Sequence, residues 1–252
     1  MRLTVLSMAV VFALTTSASG EEVKVYAAAG VKAPFLTLAA DYEATTGHKI
    51  VVVFDTAGAT YKSFLADPDA AVLITSQPLI SEGEKSGRLR DGVSTRLGDT
   101  VAGFAAPPGA PKPDTSTAEK LKASLLSTRR IAFSDPARGA TVGTHFMKVI
   151  ESLGIKDEVL KKATLAPDGV ETMRLVLDGK VDLGVTQISE IVQANRAALV
   201  GPFPPEFDLA TTYSIWHRAA ASAAAEAFAA LLTGPAGRAA MADEGLRPAT
   251  GR

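Results

Sequence analysis

The chain has 252 residues, with 26 Lys and Arg against 27 Asp and Glu, a net charge of −1, 47% hydrophobic residues and no Cys. This balance excludes a disordered chain and a global basic field suited to nucleic acid. The lack of Cys excludes disulfides, thiol catalysis and Cys-type zinc sites, so a hydrophobic core alone must hold one large domain or two smaller ones.

Residues 1–20 carry Arg2, the apolar run Leu3 to Leu14 and the small residues Ala18-Ser19-Gly20. That order is the layout of a secretory signal peptide. The run is shorter than the about 20 apolar residues a bilayer span needs. A cleaved signal and a periplasmic mature protein are the expectation. Val23 to Gly30 then reads as a strand ending in small residues. Ala33 to Thr46 reads as a helix, with Phe35, Leu38, Ala39 and Tyr42 on one face and Gly47 as its stop. Ile50 to Phe54 is a β-branched run expected for a parallel strand buried on both faces. A turn over Asp55–Thr60, a helix from Tyr61 to Ala66 and a strand at Val72–Ile74 complete an α/β unit.

Five of the seven residues Pro107–Pro113 are Pro or Gly, which marks a loop or boundary. The alternation then restarts. Ile131–Phe133 reads as a strand, Thr144 to Leu153 as a helix ended by Gly154, Val170 to Leu177 as a helix and Asp182–Thr186 as a strand. Gly201–Pro205 closes this unit, and the Ala-rich stretch Ser222 to Leu232 is a strong helix former. The expected fold is α/β with two lobes, each a mainly parallel sheet flanked by helices, and the ligand cleft between them. Residues 21–104 and 207–252 form the first lobe, and residues 105–206 the second.

Ligands of open α/β sheets bind beyond the carboxyl ends of the strands. The loops there are Ala27–Gly30, Asp55–Thr60, Ser134–Gly143 and Thr186–Glu190. Three are rich in small residues and precede a helix, whose free N–H groups and partial positive charge suit an anion without Lys or Arg. Arg138, in the third loop, has the geometry to fork onto a carboxylate. The histidines His48, His145 and His217 have no metal-ligand spacing. No phosphate-binding loop, dinucleotide fingerprint or Gly-x-Ser-x-Gly elbow occurs. The chain therefore reads as a binding protein without cofactor or metal. A small exported hydrolase-like enzyme, or a ligand-sensing module without a transporter, is the alternative.

The segments Val25-Tyr26-Ala27-Ala28-Ala29-Gly30-Val31, Phe54-Asp55-Thr56-Ala57-Gly58-Ala59-Thr60 and Ala132-Phe133-Ser134-Asp135-Pro136-Ala137-Arg138-Gly139, in this order, resemble periplasmic molybdate-binding proteins of ABC transporters. The resemblance spans nearly the whole mature chain. It implies a type II periplasmic binding protein that closes at a hinge, works as a monomer and passes its ligand to a membrane permease. It also implies that hydroxyls and backbone N–H groups of both lobes hold a tetrahedral oxyanion. On that pattern the ligand meets Ala29 and Gly30, then Thr56, Ala57 and Gly58, then Arg138, Thr141 and Val142, then Val170 and Gln187. Gly30 and Ala57 stand where the family has serine, and Gln187 where it has tyrosine. Each missing bond to a buried anion costs about 1–3 kcal/mol. Gln187 can both donate and accept, which suits an organic acid. Two ligand classes stay open, a molybdate- or tungstate-like oxyanion and a small organic acid.

Overall fold

The computed structural model describes residues 20–248, so the signal-peptide reading of residues 1–20 lies outside the described residues except for Gly20. Strand β1 (Glu22–Ala28) leads into helix α1 (Lys32–Thr46), followed by β2 (Lys49–Asp55), α2 (Ala57–Ala66), β3 (Val72–Ser76), α3 (Gln77–Lys85) and β4 (Gly92–Ala105). Next come α4 (Ala118–Ser127), β5 (Ile131–Ser134), α5 (Thr141–Ser152), α6 (Lys156–Leu160), β6 (Ala163–Ala166), α7 (Gly169–Leu177) and β7 (Leu183–Gln187). The chain ends with α8 (Ile188–Asn195), β8 (Leu199–Pro202), β9 (Ala210–Arg218), α9 (Ala223–Thr233), α10 (Pro235–Asp243) and β10 (Arg247–Pro248).

Strand β4 joins two sheets. Through Val101 it pairs antiparallel with β9, beside the run β2-β1-β3. From Ala102 it pairs instead with β7 and β8, beside β5 and β6. One continuous strand thus crosses from one lobe to the other, and β9 begins on the first sheet as the chain returns. The β1–β2, β1–β3, β5–β6 and β5–β7 pairs are parallel, as the α/β alternation requires.

Each sheet is covered on both faces. In the first lobe Phe35 packs edge-on against Phe54 and Phe228, at 5.4 and 5.3 Å, while Phe64 packs against Trp216 on the other face at 5.6 Å. In the second, Phe133 meets Phe146 at 5.0 Å and Phe104 meets Phe203 at 4.4 Å. Each such ring, fully buried, contributes about 1.5–3 kcal/mol, which is how a chain without disulfides holds together. The helix stops match the sequence: Gly47 takes a left-handed φ of 73°, and its N–H caps Glu43 at 2.9 Å.

Three expectations change. The β-branched strand β2 is not buried on both faces. It is the sheet's edge, and Val53 is 44% exposed. The loop Asp55–Thr60 is mostly helix: α2 begins at Ala57 because the Thr56 hydroxyl accepts from the Ala59 N–H at 3.2 Å. Gly201–Pro205 is partly strand, since β8 runs to Pro202 as an edge partner of β4 that needs no N–H from Pro.

Candidate anion-binding cleft

Helices α2, α5, α7 and α8 all begin at a small cavity of about 30 Å³ between the lobes. Each follows the carboxyl end of a strand. Protein acceptors already take the N–H groups of Gly58, Ala59, Glu171 and Ser189, but the residues that open α2, α5 and α7 reach the space between the sheets. Ala57 opens α2, Thr141 and Val142 open α5, and Gly169 opens α7; all four line the cavity. No side chain caps α5, which leaves its first N–H groups for a ligand. Ala29, at the end of β1, and Gln187, at the end of β7, complete the ring with Ser134 and Tyr213. No Lys, Arg or His lines the cavity. Its volume holds about two waters. Among the described residues no group of His, Asp and Glu is placed to hold a metal.

The lobes meet in a tight seam beside this cavity. The Gly58 N–H donates to the Gly139 carbonyl at 3.2 Å, and the Thr56 hydroxyl donates to the Arg138 carbonyl. Gly139 has a φ of 74°, and a Cβ on Gly58 would lie 2.7 Å from its Cα. Glycine on both sides lets the two backbones touch. Outside the seam, Arg138 Nη2 reaches both oxygens of Asp55 at 2.7 and 2.9 Å, while its Nε donates to the Pro167 carbonyl at 3.0 Å.

One ionisable carboxyl faces the cavity. Glu190 is 8% exposed; its Oε2 accepts from the Thr186 hydroxyl and from the Gln187 N–H at 3.2 Å. Burial pushes its pKa up to about 7 against these two bonds, with a smaller push from the charge of Asp168. Gly169 is required here, because any Cβ would strike the Glu190 carboxyl and the Thr186 hydroxyl. Tyr213, 4% exposed, has its phenol pKa held well above the usual range by burial and then by Glu190, against a bond from Gln187. Gln187 Nε2 donates to the Thr211 hydroxyl at 2.9 Å, and its buried Oε1 has no hydrogen-bond partner outside the α8 capping box with Glu190.

Of the residues expected to meet a ligand, the structure gathers Ala29, Thr56, Ala57, Thr141, Val142 and Gln187 around the cavity. Four others stand outside the lining. Gly30 lies beneath Tyr213, whose hydroxyl would be 2.6 Å from a Cβ there. Gly58 belongs to the seam. Val170, expected to serve through its backbone N–H, turns its side chain to the surface, 38% exposed, and follows Gly169, which lines the cavity. Arg138 does fork onto a carboxylate, but that carboxylate is Asp55 of the protein itself. Sequence reasoning missed Ser134, Ala140, Gly169, Thr186, Glu190 and Tyr213 as lining residues. Ser134, Thr186 and Glu190 sit in loops singled out from the sequence. Tyr213 reads there only as a scattered aromatic, because β9 reaches the site by a long-range pairing that leaves no local signal.

Two α/β lobes sharing a crossing strand, closed over a cavity of helix N-termini, define the class of two-lobed solute-binding proteins. The chain belongs to the bacterial extracellular solute-binding protein family, whose profile matches residues 23–247. It is similar in structure to the periplasmic molybdate-binding protein of Azotobacter vinelandii, with a TM-score of 0.71, 21% identity, and coverage of 89% of this chain and 98% of that one. A Clostridium perfringens protein assigned as a phosphate ABC transporter substrate-binding protein, with phosphate bound, gives a TM-score of 0.68 at 12% identity, covering 91% of this chain and all of the other. In sequence, the chain is 25% identical to an aconitate isomerase of a Pseudomonas species over 89% of this chain and 87% of that protein. Among the described residues no helix is long and apolar enough to cross a membrane.

Proposed function

We infer that the mature protein works in the periplasm, where it captures a small anion by lobe closure and hands it to the permease of an ABC importer. The observation that carries this reading is the convergence of α2, α5, α7 and α8 N-termini on one small cavity without a cationic side chain. Backbone N–H groups and helix dipoles then neutralise the ligand. The cavity volume of about 30 Å³ favours a compact oxyanion, or one acidic group of a small organic acid with the lobes less tightly shut. The molybdate and phosphate named for its structural relatives fit the first class, and aconitate the second. Ser134 and Tyr213 add hydroxyls to the lining that Gly30 and Ala57 do not supply.

A thermal-shift panel on ligand-stripped protein tests this reading, with molybdate, tungstate, sulfate, phosphate and aconitate. A ligand at 100 times its Kd adds about 2.7 kcal/mol of stability, or roughly 5–10 °C for a chain of this size. A panel with no shift overturns the reading. Sequencing the secreted protein's N-terminus checks the cleavage of residues 1–20.

Glu190 favours one second reading, an isomerase acting on an unsaturated organic acid. Moving a double bond within such an acid carries one proton off a carbon and returns one to another, with no co-reactant. A buried carboxyl whose pKa lies near 7 is suited to carry it. Interconversion of aconitate isomers, followed by NMR, tests this directly. Binding without interconversion leaves the transport reading alone.

A further inference from the structure

We propose that this cavity takes its anion together with one proton, shared between the ligand and the Glu190 carboxyl, so that Glu190 sets which anions bind and at which pH. The inference rests on the anion-binding reading above and names a property of that same site.

The cavity has donors for an anion, yet it also presents two acceptors. Glu190 lines it, and both hydrogen bonds that the carboxyl accepts fall on Oε2. Gln187 lines it too, 3% exposed, and its Oε1 has no hydrogen-bond partner outside the α8 capping box. An acceptor facing an acceptor in a dry cavity repels unless a hydrogen stands between them. No neighbouring cation solves the problem. The titratable groups that face Glu190 are Asp168, at the N-cap of α7, and Tyr213, from β9. Asp168 adds negative charge, and the Tyr213 phenol is held neutral. β7 contributes only the Thr186 hydroxyl and the Gln187 N–H. An incoming anion, placed beside a carboxyl with no counter-charge, drives it to the protonated form. The neutral carboxyl then donates to the ligand.

The burial that raises Glu190 to about 7 fits this role, because the empty protein is only partly protonated in neutral water and completes its protonation on binding. A ligand that brings its own proton donates to the ionised carboxylate and needs no uptake. A fully ionised ligand must draw a proton from solvent. The site thereby separates anions of equal size and charge by whether they carry a hydrogen.

Isothermal titration calorimetry tests this with molybdate, sulfate and fumarate, which do not titrate in the neutral to alkaline range. Each is titrated from about pH 6 to about pH 9 in two buffers of different ionisation enthalpy. With a probe that binds, the expected result is uptake approaching one proton per ligand at alkaline pH, and affinity falling about tenfold per pH unit there. Glu190→Gln should bind with neither uptake nor that slope. Uptake in the wild type is decisive even where the variant fails to fold. Binding with no proton uptake and a flat wild-type profile overturns this inference alone. No binding of any of the three, or of the wider panel above, overturns the anion-binding reading and this inference with it.

Discussion

Asp55 and Arg138 form an ion pair across the cleft, with Nη2 at 2.7 and 2.9 Å from the two carboxylate oxygens. Asp55 ends β2 in the first lobe, and Arg138 follows β5 in the second, so the pair ties the lobes together. On the closure reading proposed above, it holds only while they are shut. It acts as a latch at the cavity's rim rather than as a ligand contact. Both side chains keep solvent exposure, 43% for Arg138 and 27% for Asp55, so water screens the attraction. The expected contribution is at most about 1 kcal/mol. Asp55→Ala should weaken ligand binding by up to about fivefold, mainly through faster release. The wild type should lose the same advantage in high salt. Calorimetry at two ionic strengths checks both; equal salt dependence in wild type and variant would remove the latch role.

The seam below the latch is less forgiving. A Cβ on Gly58 would sit 2.7 Å from the Gly139 Cα, closer than real side chains approach a backbone. Gly58 otherwise lies in the first turn of α2, where alanine is the better helix former by about 0.5–1 kcal/mol. Gly58→Ala should therefore leave the ligand-free Tm equal or higher while weakening binding about tenfold or more. Small-angle scattering should show the variant staying open in the presence of ligand. A variant that closes and binds as the wild type does would show that the seam yields.

The lobed α/β fold was legible in the sequence because the parallel units carry local signals: the small residues after β1, the Gly47 stop and the β-branched run of β2. Strand β4 was not, although it is the longest strand and the one that unites the lobes. Its first half is mostly exposed and rich in Gly, Ser, Thr and charge, so it shows no buried-strand pattern. The site was legible at the level of loops. Side chains were another matter. Arg138 sits in a ligand-binding loop, yet its guanidinium is drawn to Asp55, 83 residues away in the chain. Glu190 resembles an ordinary acidic residue in the first turn of a helix. Only the packing of Gly169 and Tyr213 around it makes it a buried carboxyl.

Burial of Glu190 has a cost that depends on pH. Its pKa in the folded protein is about 7, above the ordinary 4.5, so between these values the folded state binds more protons than the unfolded one. Stability from this group is therefore fully present below about pH 4.5, falls as pH rises, and is lowest above pH 7. The full difference is about 3 kcal/mol, or roughly 6–12 °C in Tm for a chain of this size. Glu190→Gln keeps the shape and removes the charge. The ligand-free wild type should lose Tm relative to this variant as pH rises from about 4.5 to about 7, and the gap should stop widening above that. Parallel Tm profiles for the two proteins would place the titration elsewhere.

Placing at Gly30 the serine that the molybdate-binding resemblance implies should harm this protein, because Tyr213 occupies the space. The Tyr213 hydroxyl, Cε2 and Cζ would lie 2.6 to 2.9 Å from a Cβ at Gly30. The ring is 4% exposed and held in β9 between β3 and β4, so it cannot swing away without disturbing the junction between the lobes. Overpacking of this kind costs about 1–3 kcal/mol. Gly30→Ser alone should lower Tm and weaken anion binding. Tyr213→Ala alone should also lower Tm, by leaving a hole beneath the cavity. The two changes together should cost clearly less than the sum of their separate effects, since the serine fills part of the space that the ring vacates. A double-mutant cycle measured by thermal or urea denaturation gives the coupling. Simple additivity would mean that Gly30 is glycine for a reason other than Tyr213.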